Sequence, residues 1–378
     1  MLNYQKKNFF AIILLIVLLF TACINQKPNA DEKNSDLQNN QNQSIIEQEK
    51  TVKIVMAGDV IFHKPQLTYA RTKNGYDFKP SFEDIKYLIS DANISVFNLE
   101  GNINTKLKPS GYPKFNYPIE AVDALKWAGF DGVVLANNHS LDTGLEGLKG
   151  TIYNFNKKGL KVIGAGKNSE TRTAIYEVNG IKVGFLAYTQ FINFQKSGLG
   201  YVNMIDIEKI KSDITRLKGQ VDFCIVYMHH GTEYLREVEK NQITLYRKIA
   251  DLGADYIVGN HPHVARKSEY YKTKDGRGVI INYSLGNFIS NQNDKYTDIG
   301  LIARLELSKK DKTVEIKNFE MIPIYRLRYK ESGKTMHKVI TAEGIEKYKN
   351  KIGADNIKYI TKTFDELEAA TEVVNNMR

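Results

Sequence analysis

The segment Thr51-Val-Lys-Ile-Val-Met-Ala-Gly-Asp-Val-Ile-Phe-His63 sets the fold class. Residues 52–57 form a short, mostly apolar run with β-branched residues, the kind buried on both faces of a sheet, and it ends on Gly58-Asp59, where a turn residue meets a carboxylate. The same grammar recurs downstream. Residues 94–97, 132–136, 161–164, 182–188, 223–228, 256–258 and 279–283 read as strands, and amphipathic stretches at 81–90, 119–128, 143–158, 204–217 and 239–252 read as helices between them. Thr143-Gly-Leu-Glu146 has the form of a capping box. Short apolar strands separated by helices predict an α/β layered fold with buried sheets. Segments near 300–308 and 313–322 alternate apolar and polar residues, which predicts an antiparallel pair at a sheet edge.

Composition narrows the class. The chain has 378 residues, 42% hydrophobic and 25% charged, as a globular protein does, and a net charge of +10. Such a surface attracts an acidic polymer or an anionic membrane. No basic stripe or RNA-binding aromatic motif accompanies it, which argues against nucleic acid. Lys6 and Lys7 precede an apolar run at 9–20 that is too short to span a bilayer comfortably and has the shape of a signal-peptide core. Thr21-Ala22-Cys23 follows and resembles a bacterial lipobox, so Cys23 is expected to be lipidated and to hold the protein at the extracytoplasmic face of the cell membrane. Residues 24–50 are rich in Asn, Gln, Lys and Glu and read as a flexible tether. The expected organisation is a signal peptide at 1–22, a lipidated tether at 23–50, a folded domain at 51–325 and a mostly helical extension at 326–378. The second of two cysteines, Cys224, lies in an apolar run and reads as a small core residue.

Six of the seven histidines lie at or near strand ends. Asp59 and His63 follow the first strand, Asn98 and Glu100 the next, and Asn138, His139 and Ser140 the third. His229 and His230 close the strand at 223–228, and His261 and His263 flank Pro262 after the strand at 256–258, so both rings can face one point. Sites in α/β sheets form at the carboxyl ends of strands. A mixture of carboxylate, amide and imidazole suits one or two divalent ions such as Mn, Fe, Zn or Mg. The same residues also suit a structural polar network, and this alternative stays open at the level of sequence.

The order of these motifs resembles the calcineurin-like metallophosphoesterases and, more closely, the CapA family of poly-γ-glutamate capsule synthesis proteins. The resemblance rests on Gly58-Asp59, Phe97-Asn-Leu-Glu100-Gly, Leu135-Ala-Asn-Asn-His-Ser-Leu-Asp142-Thr-Gly144, Gly164-Ala-Gly166, His229-His-Gly-Thr-Glu233-Tyr234, Gly253-Ala-Asp-Tyr-Ile-Val-Gly-Asn-His-Pro-His-Val264 and Tyr283-Ser-Leu-Gly-Asn-Phe288. It implies a four-layer αββα sandwich of metallophosphoesterase type. It also implies one metal on Asp59 and His263, a second on Asn138, His229 and His261, Glu100 as the bridging carboxylate, and His139 as the group that protonates a leaving oxygen. Three residues separate Asp59 from His63 where the superfamily has one, and no Gly-Asp-x-x-Asp occurs near residue 98, so a mononuclear, shifted or degenerate site also fits. His63, Asn98, His230, Glu233, Tyr234, Ser284 and Asn287 stand as supporting or substrate-facing groups. Asp142 and Gly144 read as shaping the start of a helix.

Three functions fit these expectations: a metal-dependent hydrolase acting on a phosphoester or a γ-glutamyl polymer, a non-catalytic accessory protein binding an anionic polymer or its synthesis complex, and a purely structural surface protein. The histidine pattern disfavours the third.

Overall fold

The computed structural model describes residues 49–194 and 197–376; the predicted signal peptide, Cys23 and the tether up to residue 48 lie outside them. The chain runs from β1 (Lys50–Val60) through α1 (Lys64–Ala70), a hairpin of β2 (Arg71–Thr72) and β3 (Gly75–Tyr76), and α2 (Lys86–Ser90) to β4 (Ile94–Leu99). Then follow α3 (Glu120–Ala128), β5 (Gly132–Val134), α4 (Gly144–Lys157), β6 (Lys161–Ile163), β7 (Ala174–Val178), β8 (Ile181–Thr189), α5 (Ile207–Lys218), β9 (Phe223–His229), α6 (Lys240–Asp251) and β10 (Tyr256–Asn260). The last third holds β11 (Ser268–Lys272), β12 (Gly278–Asn282), β13 (Asn287–Ile289), β14 (Ile299–Lys310), β15 (Thr313–Glu331), β16 (Lys334–Ile340), α7 (Ala342–Lys347), α8 (Lys349–Ile352) and α9 (Ala354–Asn376).

Among the described residues the larger sheet has the order β16-β15-β14-β1-β4-β5-β6, with β13 beside the end of β1, and the second has the order β11-β12-β10-β9-β8-β7. Period-2 alternation explains how they stack. On the second sheet Phe185, Ile225, Tyr227, Tyr256 and Val258 enter the core shared with the first sheet. Their neighbours Leu186, Cys224, Val226, Met228 and Ile257 turn the other way, onto Ile210, Ile214 and Leu217 of α5 and Tyr246 and Ile249 of α6. On the first sheet Phe97 meets Phe130 and Phe155 on the α3–α4 side. The result is a four-layer αββα sandwich. Cys224 is fully buried, as expected, and burial pushes its thiol up.

Two glycines let backbones close in where the site forms. A Cβ on Gly58 would stand 1.9 Å from the Gly286 carbonyl oxygen, and one on Gly259 would stand 2.1 Å from that of Tyr283. The first approach lets Asp59 donate its backbone N–H to Gly286 (3.0 Å) and pair in register with Asn287 and Asn98.

Four local expectations change. The segment 81–90 is helical only from Lys86, after a 3-10 turn at Lys79–Ser81. The Thr143 capping box does not form; the hydroxyl and backbone N–H of Thr143 both go to Asn102 Oδ1 instead (2.8 and 2.9 Å), and Gly144 takes φ +75°. β14 and β15 do pair antiparallel, but the edge belongs to β16. The expected boundary after residue 325 falls inside β15, which runs unbroken to Glu331, and β16 follows before the terminal helices.

Candidate metal centre

Strands of both sheets end at one place. β1 delivers Asp59, β4 delivers Asn98 and Glu100, the turn after β5 delivers Asn138 and His139, β9 delivers His229, and the turn after β10 delivers His261 and His263. His261 (φ +97°) and His263 (φ +61°) both hold backbone conformations that favour glycine, a strain maintained by the surrounding contacts. It brings their ring centres within 6.0 Å of each other.

Asp59 is fully buried and heavily bonded. Its Oδ1 accepts from Asn98 Nδ2 (2.8 Å) and Asn260 Nδ2 (2.7 Å); its Oδ2 accepts from the His261 N–H (3.3 Å) and lies 3.3 Å from His263 Nδ1. Burial alone would raise this carboxyl, but the His263 hydrogen bond and the neighbouring imidazoles hold it below its ordinary value. His229 Nε2 sits 2.8 Å from Asn138 Oδ1, 3.1 Å from His261 Nδ1 and 3.2 Å from Glu100 Oε1. His263 Nδ1 contacts Asn287 Oδ1 at 3.1 Å, leaving Nε2 directed between Glu100 Oε2 (3.9 Å) and Glu233 Oε1 (4.0 Å).

Glu100 is the anomaly. Its side chain is buried, yet neither carboxylate oxygen has a hydrogen-bond partner among the described residues; the 3.2 Å approach of His229 lacks hydrogen-bond geometry. Burial and the charge of Asp59 raise this carboxyl well above its usual range. His229 is pushed well below its usual value by burial and by His261, and His261 is lowered to about 3 by burial and His263. Burial would lower His263 too, but the Glu100 charge and Asp59 raise it to about 9. The neutral imidazoles of His229 and His261 beside an orphaned carboxyl group form a donor set that a divalent cation fits. Ligand atoms of Asp59, Glu100 and His229 lie within 4.8 Å of one another, and so do those of Glu233, His261 and His263. The groups that the resemblance pairs are also neighbours, Asp59 with His263 at 3.3 Å and His229 with Asn138 and His261 at 2.8 and 3.1 Å, so one cluster offers overlapping ligand sets.

His139 stands at the margin, its Nδ1 2.7 Å from Asp142 Oδ2 and its Nε2 3.3 Å from Asn193 Nδ2. Asp142 thus orients an imidazole as well as receiving the Phe115 N–H (2.7 Å), a role beyond shaping a helix start. Phe191, 5.4 Å from His261, and Tyr234, 6.0 Å from His263, form a partly exposed aromatic rim.

The remaining expected residues divide. Asn98 bonds Asp59 and Asn287 contacts His263, and Ser284 Oγ accepts from the Gly286 N–H (3.0 Å), shaping the loop that receives Asp59. His63 stands outside both sets: it precedes α1, its Nδ1 accepts from the Asn291 N–H (3.1 Å), and burial with the His263 charge lowers it to about 4. His230 packs against Tyr246 of α6 at 5.9 Å. Asn260 on Asp59, and Asn137, whose Nδ2 donates to Asn98 Oδ1 (3.0 Å), were not singled out from sequence, although both stand inside the quoted motifs.

Residues 53–292 match the family described as bacterial capsule synthesis protein PGA_cap. The chain is 33% identical over 216 residues to the PGA biosynthesis protein CapA of Bacillus subtilis (54% of this chain, 53% of that one). It is 37% identical over 182 residues to the capsule biosynthesis protein CapA of Bacillus anthracis (46% and 43%). These matches span about half the length of the curated relatives. Among solved structures, the calcineurin-like phosphoesterase YfkN of Bacillus subtilis aligns with TM-score 0.46 and 16% identity, covering 86% of this chain and 99% of that one. The whole strand-end cluster from Asp59 to Asn287 lies within the matched residues, and the chain belongs to the PGA_cap family of bacterial capsule synthesis proteins, the CapA family.

Proposed function

We propose that this protein is held by a lipid on Cys23 at the outer face of the cell membrane and takes part in making or exporting an anionic capsule polymer of poly-γ-glutamate type. In this reading its buried cluster holds one or two divalent ions and hydrolyses a phosphoester or a bond of the polymer. The names of the Bacillus relatives support the polymer. The observation that carries the metal is Glu100, a buried carboxylate with no hydrogen-bonded donor beside three imidazoles and a second carboxylate. Asp59, Glu100 and His229, with Asn138, would hold one ion, and His261, His263 and Glu233 another. A bound divalent ion lowers the pKa of water and polarises the oxygens of a phosphoester. The chain's own contribution is orientation. Asn98, Asn260 and Asn287 fix Asp59 and His263, and Asp142 holds the His139 ring through its Nδ1–H, so that Nε2, when the ring carries both protons, can hand one to a departing oxygen.

A second reading, a polymer-binding accessory protein with a degenerate site, is favoured by one observation: His63, the counterpart of the first superfamily histidine, stays bonded to the Asn291 backbone outside both ligand sets. Metal analysis of the purified protein together with hydrolysis of bis(p-nitrophenyl) phosphate separates the two. The hydrolase reading expects stoichiometric metal, and turnover lost in His261→Ala and Asn138→Ala. Bound metal without turnover, with polymer export intact in those variants, selects the accessory reading. Absence of metal sinks the site altogether.

A further inference from the structure

A second group of buried polar side chains lies away from the strand ends. On β15, Arg326, Arg328 and Lys330 alternate onto one face, and the register of β16 sets His337 opposite Arg328 and Thr335 opposite Lys330. α1 packs on this face: the Tyr69 ring lies 6.0 Å from that of His337, and Gln66 stands one turn before Tyr69. Gln66 Nε2, Arg326 Nε and both ring nitrogens of His337 have no hydrogen-bond partner among the described residues, although the three residues are only 1%, 6% and 0% exposed. Arg328, Lys330 and Thr335 of this face, with Pro65 beside Gln66 and with Asn291 and Tyr329, line a pocket of about 520 Å³; Gln66, Arg326 and His337 are buried outside its lining.

What is missing here is negative oxygen. Among the described residues no carboxylate stands within salt-bridge distance of Arg326, Arg328 or Lys330. Asp298, whose carbonyl accepts from the Arg326 N–H, accepts the hydroxyl of Tyr359 on its carboxylate. Arg326 Nη2 donates to the Gln292 carbonyl (2.9 Å), and Arg328 Nη1 to Asn291 Oδ1 (3.3 Å) and Asn293 Oδ1 (3.1 Å), all of them neutral acceptors. Buried donors are almost always satisfied in folded proteins, so the orphaned N–H groups of Gln66 Nε2, Arg326 Nε and the protonated nitrogen of His337, close to a cationic pocket, point to an acceptor supplied from outside.

We propose that this face is a binding site for a multi-oxygen anion, a phosphate or a carboxylate, taken up between β15, β16 and α1 and contacted by Gln66, Arg326, Arg328, Lys330 and His337. Gln292 links it to the metal centre: its backbone carbonyl accepts from Arg326, its Oε1 accepts from Asn287, and its Nε2 donates to the Tyr234 hydroxyl (3.3 Å). The site therefore suits a second anionic group on a ligand whose first group lies at the centre, yet its existence does not depend on metal being bound there.

Calorimetric titration of the EDTA-treated full chain, with inorganic phosphate in one series and glutarate in another, tests the site. The expected result is saturable binding of at least one anion with Kd below about 10 mM. Arg328→Gln combined with Lys330→Gln, which changes only two exposed side chains, should weaken it about tenfold or more. Gln66→Leu removes no charge and should weaken it as well, which general attraction to a basic surface would not do. Phosphate alone or glutarate alone identifies the class of anion. Binding of neither, or binding unchanged in the double variant or in Gln66→Leu, overturns the proposal.

Discussion

The candidate metal centre and the β15–β16 face are both buried and polar, and the atoms they leave unsatisfied are mostly of opposite kinds. Around the strand ends the orphans are oxygens, both carboxylate oxygens of Glu100, Asp142 Oδ1 and Asn260 Oδ1, with one nitrogen, His230 Nδ1, on the side packed against α6. On the β15–β16 face they are nitrogens, of Gln66, Arg326 and His337. Uncompensated burial costs free energy either way, so neither region is explained by packing alone. Surplus acceptors call for a cation and surplus donors for an anion. The sign of the deficit identifies the chemistry of the missing partner.

The largest effect that would sharpen this contrast is kinetic. His139→Ala is expected to reduce phosphodiester turnover about 10²–10⁴-fold while metal content stays unchanged, because the ring adjoins Asp142 and Asn193 and belongs to neither ligand set. Loss of metal together with activity would place His139 inside the centre and erase that distinction. Next comes Glu100→Gln, whose effect should change sign with metal. With metal at about a hundred times its Kd, the native protein gains about 2.7 kcal/mol that a variant unable to bind the ion forgoes. In the metal-free protein the substitution should stabilise. The folded-state carboxyl is raised, so the native protein loses stability as pH rises from the ordinary carboxyl value towards the folded one, and Gln removes that loss. Urea unfolding at neutral pH, with and without EDTA, reads both signs; a variant less stable in both conditions would mean Glu100 is a structural residue.

How far sequence carried this contrast depends on what each residue type normally signals. Asp59, Glu100, Asn138, His229, His261 and His263 were legible because each sits at the end of an apolar strand, and parallel strands bring their carboxyl ends to one edge. The strained turn at His261–His263, which sets His263 Nε2 4.0 Å from Glu233, was not legible, because sequence does not show positive-φ histidines. Asp142 read as part of a helix start because Asp-x-Gly before an amphipathic run usually is one; only the folded turn shows its carboxylate on His139. His63 reads as a supporting group because three residues, not one, separate it from Asp59, and the fold sets it at the start of α1. Thr143 lost its capping role to Asn102, 41 residues away. The β15–β16 face left no trace in sequence, because Gln66, Arg326 and His337 belong to three elements, and a lone buried Gln or His carries no periodic signal.

The smallest effect separates the two regions by the direction of their pH dependence. His337 is lowered from 6.5 to about 3 by burial first and then by the charges of Arg326 and Arg328. An unfolded chain takes up a proton at this position as pH falls below about 6.5, while the folded one declines it until about 3, so the stability is full above that window and is lost on acidification, by about 1.4 kcal/mol per pH unit. His263 in the metal-free protein runs the other way: its raised value gives a contribution present below about 6.5 and lost as pH rises towards 9. Comparing native protein with His337→Leu by urea unfolding between pH 4 and 7, over about three units, should show a shallower acid slope in the variant, since the lost ring nitrogens had no partners. Phosphate bound on this face would favour the imidazolium and flatten the native slope while leaving that of His337→Leu unchanged. Equal slopes in both proteins, with and without phosphate, would mean that His337 never feels an anion and that the two regions differ only in packing.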